Sequence, residues 1–157
     1  MKVERSISVE REPEAVFDFI SDFSKYADFF VGITKWESRS EETKGIDALY
    51  RVLMRVGSIE AGGTIRVSEW DPPTSIRWEA DRGIRQRGSW YLAPNVEGTE
   101  LTLAIEFDLS GGPVGALVER LAGRIVGRNM WATLLAARRR LEDERATSHG
   151  GSIRPWG

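Results

Sequence analysis

The last third of the chain constrains the fold most. Thr99 to Asp108 alternates, with Leu101, Leu103, Ile105 and Phe107 on one face and Thr102, Ala104, Glu106 and Asp108 on the other, the period of a half-buried strand. It runs into Gly111-Gly112-Pro113, and a helix of about thirty residues fills most of what remains. At about 100° per residue, Val118, Ala122, Ile125, Val126, Asn129, Thr133, Ala136 and Ala137 share one broad side, and Arg120, Arg124, Arg138 and Glu142 the other. A helix this apolar in its middle must lie on something large, and the preceding strands are the candidate. Gly123 and Gly127 each cost about 1 kcal/mol relative to alanine, which implies close approach to the sheet or a bend. One long helix laid across a curved antiparallel sheet tends to leave a hollow, and function is expected there.

Upstream, Val3, Ile7 and Val9 alternate with polar residues as a first strand. Pro13 suits the first turn of a helix that buries Val16, Phe17 and Ile20, and Asp22 can cap a second short helix around Ser24 to Phe30, ended by Gly32. Strands follow over Thr34–Ser40, Asp47–Val56, Ile59–Trp70, Ser75–Asp81 and around Gly88, Trp90 and Leu92, separated by turn signals such as Asp71-Pro72-Pro73. Short connections predict antiparallel neighbours. The expected order is strand, two helices, six strands, long helix, with 1–144 as a single domain and 145–157 as a flexible tail.

The inventory of side chains excludes much chemistry. Among 157 residues there is no cysteine, and the single histidine, His149, falls in the Gly/Ser-rich tail, so neither thiolate catalysis nor a histidine-based triad or metal site is expected inside the domain. A formal charge of -2 gives no electrostatic case for nucleic acid or an anionic membrane. Met1 to Glu12 is charged and alternating, unlike a secretory leader. No apolar run approaches the roughly 20 residues of a membrane span, so no stable membrane insertion is expected and a cytoplasmic location is. Ala61-Gly62-Gly63-Thr64 and Gly111-Gly112-Pro113 lack the rest of a phosphate-binding fingerprint. No cofactor or metal is expected.

With that order in hand, the chain resembles the START-like superfamily, the helix-grip fold shared by polyketide cyclase/dehydrase and lipid-transport-like proteins. The residues that carry the resemblance are Pro13-Glu14-Ala15-Val16-Phe17-Asp18, Asp22 to Tyr26, Trp70-Asp71-Pro72-Pro73, Gly88-Ser89-Trp90-Tyr91-Leu92 with Pro94, Gly98-Thr99-Glu100-Leu101-Thr102 and Gly111-Gly112-Pro113. It covers residues 2–144 and implies an α+β helix-grip fold. A seven-stranded sheet would grip the C-terminal helix over an apolar cavity. Loops near Val56-Gly57-Ser58 and Arg82-Gly83-Ile84 would form its mouth, and the small helix with Tyr26, Phe29 and Phe30 would line the entrance.

Six tryptophans are many for this length. Trp78 and Trp90 are in phase with apolar sheet positions, so they are read either as pocket walls for a flat, greasy ligand or as core. Trp36 and Trp70 are out of phase with their apolar neighbours. Trp131 falls near the charged side of the last helix, which leaves a homodimer open. The expected ligand contacts are Tyr26, Phe29, Phe30, Tyr50, Val52, Met54, Ile65, Val67, Trp78, Trp90, Leu103, Ile105, Asn129 and Thr133. Asn129 and Thr133, one turn apart, would be a polar handle on the cavity wall or would satisfy each other and the backbone. Arg5, in phase with Val3 and Ile7, would need a partner if it faced inward and is read as solvated.

Three functions fit. The first is binding or transport of a small hydrophobic molecule such as a lipid, isoprenoid or polyketide. The second is a polyketide aromatase/cyclase or dehydratase working in the same cavity, with Tyr50, Arg66 and Trp78 as candidate catalytic groups. The third is a protein-interaction module with a vestigial cavity, touching its partner through Trp131 and Phe29-Phe30.

Overall fold

The computed structural model describes residues 1–109 and 112–149. Strand β1 (Lys2–Val9) leads into helix α1 (Pro13–Ser21), a 3-10 turn (Phe23–Lys25) and helix α2 (Tyr26–Phe29). Strands β2 (Ile33–Ser38), β3 (Leu49–Val56), β4 (Ile59–Asp71), β5 (Ser75–Gly83), β6 (Arg85–Pro94) and β7 (Thr99–Asp108) follow, and helix α3 (Gly112–His149) ends the described chain. Pro13 opens α1, and the Asp22 carboxylate accepts from the Ser24 amide at 3.2 Å and from its hydroxyl at 2.5 Å. That pairing with the Ser24 hydroxyl holds the Asp22 carboxyl below its ordinary range.

All seven strands form one antiparallel sheet in the order β1-β7-β6-β5-β4-β3-β2. Consecutive strands pair, except that β1 lies beside β7, so the first strand closes one edge and β2 the other. The sheet, the short helices and the long helix form the helix-grip arrangement.

Two register shifts decide which tryptophans face inward. In β2 the shift between Ile33 and Lys35 breaks the alternation, and Ile33 and Trp36 reach the same side of the sheet despite odd spacing. In β4 a shift between Val67 and Glu69 does the same for Trp70, which packs edge-on against Phe17 at 5.6 Å between ring centroids. Both rings therefore join the interior from positions that strict alternation sends outward.

Helix α3 runs to His149, past the expected boundary at 144; the rest of the tail, 150–157, lies outside the described residues. Its buried face is Ala122, Val126, Met130, Leu134, Ala137 and Leu141. Ala122, Val126, Thr133 and Ala137 of the expected face are buried, but the face is rotated toward Met130, Leu134 and Leu141, so that Ile125, Asn129 and Ala136 are half-buried and Val118 is 46% exposed. The reason lies at Gly123 and Gly127. A side chain at Gly123 would stand 2.2 Å from the Met1 sulfur, and one at Gly127 would stand 2.6 Å from the Arg5 guanidinium and 3.3 Å from Val3. The glycine side of the helix thus receives β1 and turns the larger apolar residues onto the sheet. Arg5 itself is exposed and donates to the Glu4 carbonyl at 2.8 Å.

Candidate functional site: an apolar cavity under the long helix

Between the sheet and the N-terminal half of α3 lies a cavity of ≈ 280 Å³. Its walls are Ile33 and Trp36 of β2, Val52, Met54 and Val56 of β3, Ile65 of β4, Trp78 of β5, and Ile105 and Phe107 of β7. Phe30 closes it from the end of α2, and Val118, Ala122 and Val126 form the helix side. The cavity reaches the surface between Ile59, 63% exposed, and Val118, 46% exposed. Ala61, Gly62 and Ile84 line it near this entrance, so the hairpin after Val56 and the turn at Gly83 contribute to the mouth. The strands approach too closely there for side chains. A Cβ on Gly62 would sit 2.0 Å from the Val52 carbonyl oxygen, and one on Gly63 would sit 2.0 Å from that of Arg82.

Six of the fourteen expected contacts line the cavity: Phe30, Val52, Met54, Ile65, Trp78 and Ile105. The other eight are placed elsewhere, and the hydroxyl and indole groups among them are already engaged. The Tyr26 hydroxyl donates to the Ile20 carbonyl and accepts from the Trp90 indole nitrogen at 2.9 Å, so both rings belong to a closed core network. Burial pushes the Tyr26 phenol well above its ordinary pKa. Phe29 packs on Phe19 and Tyr26, 4.9 and 5.2 Å between centroids. Val67 and Leu103 are core residues outside the cavity wall. Thr133 donates to the Asn129 carbonyl at 2.8 Å and accepts from the Val31 amide at 2.9 Å, which fills both roles of its hydroxyl. The Asn129 side chain lies against Gly32, where an added Cβ would be 2.6 Å from its amide nitrogen.

Of the three candidate catalytic groups, Trp78 lines the cavity, and Tyr50 and Arg66 stand apart from it. The Tyr50 hydroxyl donates to the Thr43 carbonyl, its ring packs on Phe23 and Trp36, and burial raises its phenol to about 12. Arg66 lies on the outer side of the sheet, paired with Asp81 at 2.8 Å and Asp47 at 3.7 Å, a pairing that raises its pKa further. Neither could reach a molecule held under α3 without breaking these contacts.

Several lining residues were not among the expected contacts: Trp36, Ile59, Ala61, Gln86, Phe107, Leu109, Val118, Ala122 and Val126, while Val56 and Ile84 belong to the two loops expected at the mouth. Phe107, Val118, Ala122 and Val126 carried a signal, because their periodicity placed them on inward faces. Trp36 was hidden by the β2 bulge. Gln86, Ile84 and Leu109 sit at strand ends, where no period is long enough to assign a face. The lining holds three side chains with a polar group among the described residues, the Gln86 amide and the indoles of Trp36 and Trp78, and no titratable one. The Trp36 indole nitrogen is buried without a hydrogen-bond partner.

A second depression of ≈ 350 Å³ lies on the opposite face of the sheet around Arg77, Arg87, Tyr91 and Glu106. It is polar and shallow, and its arginines are engaged, Arg77 with Glu69 at 3.2 Å and Arg87 with Glu106 at 3.0 Å.

The comparisons with known proteins agree with this architecture. The chain is similar to a structure of TTHA0849 from Thermus thermophilus, with 20% identity, a TM-score of 0.79, and coverage of 92% of this chain and 99% of that one. It is similar to the Zhui aromatase/cyclase from Streptomyces sp. R1128, at 22% identity and a TM-score of 0.77, covering 98% and 99% of the two chains. A START superfamily protein from Mycobacterium smegmatis shares 17% identity with a TM-score of 0.70 over 90% and 97%. No curated protein matches in sequence. The family model described as polyketide cyclase / dehydrase and lipid transport matches residues 1–142, and the chain belongs to that family.

Proposed function

We propose that this protein binds a small, largely apolar molecule in the cavity between the sheet and α3. The observation that carries the reading is the lining itself: walls of aliphatic and aromatic side chains around ≈ 280 Å³, with an entrance flanked by exposed Ile59 and Val118. Burial of apolar ligand surface supplies affinity at roughly 25 cal/mol per Å² before the costs of association. Gln86 and the Trp36 and Trp78 indoles are the side chains with polar groups in the wall and would bias orientation.

Binding is favoured over the cyclase reading by the same wall. Aldol cyclisation or dehydration needs proton transfer within hydrogen-bond reach of the substrate. Among the described residues the lining provides no acid or base, and Tyr50 and Arg66 are committed elsewhere. The test is titration with 1-anilinonaphthalene-8-sulfonate, followed by displacement with candidate hydrophobic molecules. Saturable one-to-one binding is expected in the parent protein. Its loss is expected in Ala61→Phe, which fills the mouth, with the unfolding midpoint retained. Equal binding by parent and filled variant would remove the cavity as the site.

A further inference from the structure

We propose that the entrance end of this protein, led by the outer face of α3, docks on an anionic phospholipid surface. Net charge argues against this, but net charge hides how the charges are distributed. Between Leu117 and Arg139 the helix carries five arginines and one glutamate. Arg120, Arg124, Arg128 and Arg139 are exposed, and no ion pair engages them among the described residues. The one glutamate, Glu119, is occupied by the Met1 amino group at 2.8 Å. Arg55, Arg82 and Arg85, on the hairpins that frame the cavity mouth, are likewise exposed and outside any ion pair among the described residues.

The far end of the molecule has the opposite sign. There β1 leaves for α1, β4 turns into β5 and β6 into β7, and the surface carries Glu10, Glu12, Glu14, Asp71, Glu97 and Glu100. The hydrogen bond from the Glu10 amide to Glu142 at 3.4 Å places the acidic end of α3 at this same end. A molecule polarised in this way turns the arginine-bearing outer face of α3, with the mouth at its N-terminal end, toward an anionic surface.

The apolar residues agree with that orientation. Leu117, Leu121 and Trp131 are 58%, 51% and 43% exposed and share with the arginines an arc of about 120° opposite the buried face. Their residue numbers span a helix face of about 33 Å. Leu117 and Leu121 flank Val118, which lines the cavity at its entrance beside Ile59. Leucine and tryptophan interleaved with arginine suit the headgroup boundary, where apolar tips enter and guanidinium groups stay with phosphate. A second copy of this chain fits poorly, because two such faces would bring the same unpaired arginines together. An acidic protein partner would match the charge, but the apolar side chains are separated by arginines and form no continuous hot-spot core.

The experiment is co-sedimentation of the full chain with phosphatidylcholine vesicles and with 3:1 phosphatidylcholine:phosphatidylglycerol vesicles. At least tenfold stronger partitioning onto the anionic vesicles is expected, declining as salt is raised. Neutralising Arg120, Arg124 and Arg128 together to glutamine should weaken partitioning by about fivefold per residue. Neutralising Arg39 and Lys44, at the other end of the sheet, should leave it unchanged. Brominated lipid should quench tryptophan emission in the parent protein, and Trp131→Phe should remove most of that quenching. Equal partitioning onto both vesicle types, or equal loss with the Arg39/Lys44 variant, would overturn the proposal. So would absence of vesicle binding by a protein that still binds 1-anilinonaphthalene-8-sulfonate, a result that leaves the cavity reading standing. Salt-sensitive retention on immobilised poly-glutamate without vesicle binding would reassign the face to an acidic protein.

Discussion

Replacing Gly88 with alanine tests how the floor of the cavity is built. Gly88 sits on β6 between Trp78 of β5 and Ile105 of β7, and these two neighbours both line the cavity. A Cβ at this position would stand 2.2 Å from Cζ2 and 2.3 Å from Cε2 of the Trp78 indole. Ordinary carbon contact is about 3.5–4.0 Å, so the ring must retreat by more than 1 Å. Trp78 is 5% exposed and lines the cavity, so a ring displaced by the new methyl group moves into that space. Overpacking of this kind costs about 1–3 kcal/mol, or a fall in Tm of roughly 2–12 °C for a domain of this size. The displaced ring also takes up ligand space, so affinity for 1-anilinonaphthalene-8-sulfonate should fall together with stability. Trp78→Leu should enlarge the cavity and admit bulkier probes, at a stability cost of its own from lost contacts. In the double variant the added methyl group meets no indole, so Gly88→Ala should be nearly free. The coupling between the two positions should then be at least about 1 kcal/mol, well beyond the few tenths expected of independent sites. Thermal and urea unfolding of the four proteins measure the cycle. Additive costs, or a Gly88→Ala protein with parental stability and parental probe affinity, would refute the account of Gly88 as the seat of the indole.

Further expectations follow from single contacts. Trp36→Phe removes a buried N–H without a partner together with the indole's second ring, which packs among Phe23, Tyr26 and Tyr50, so relief of the unpaired nitrogen should hold the net loss in urea unfolding below about 2 kcal/mol; a larger loss would refute that relief. Gly127→Ala should stabilise by up to about 1 kcal/mol through helix propensity, because the nearest obstruction is the exposed end of Arg5; a drop in Tm would show that the Val3 contact dominates. Asp22→Ala removes the cap on Ser24 and should cost about 1 kcal/mol, read as a lower urea midpoint. Buried Tyr26 and Tyr50 have raised pKa values, the latter about 12, whereas the unfolded chain ionises both near 10. Their contribution is therefore intact below pH 10 and is lost as pH climbs through the folded values. Urea midpoints of Tyr50→Phe, lower than the parent at pH 8, should converge with it towards pH 12, and a constant offset would contradict the sign.

The sequence made the frame legible because its signals were long. Ten alternating residues in β7 and a helix of many turns leave few ways to fold, and short connections between strands force an antiparallel order. The wall of the cavity was legible where it coincided with that periodicity, at Val52, Met54, Ile65, Trp78 and Ile105. It was illegible where a local event broke the period. The β2 bulge turned Trp36 inward, and the β4 bulge did the same for Trp70. Polar residues on inward faces misled for a different reason. Tyr26, Tyr50 and Thr133 were counted among the expected ligand contacts, but the hydroxyl of each finds a backbone carbonyl nearby, for Thr133 the backbone alternative already open in the sequence. A buried hydroxyl with a local carbonyl in reach is satisfied at little entropic expense, whereas one held ready for a ligand must be desolvated and kept unpaired. In this chain the polar groups on the core side were used to fix the scaffold. That left the cavity wall almost wholly apolar and the cations for the helix's outer face.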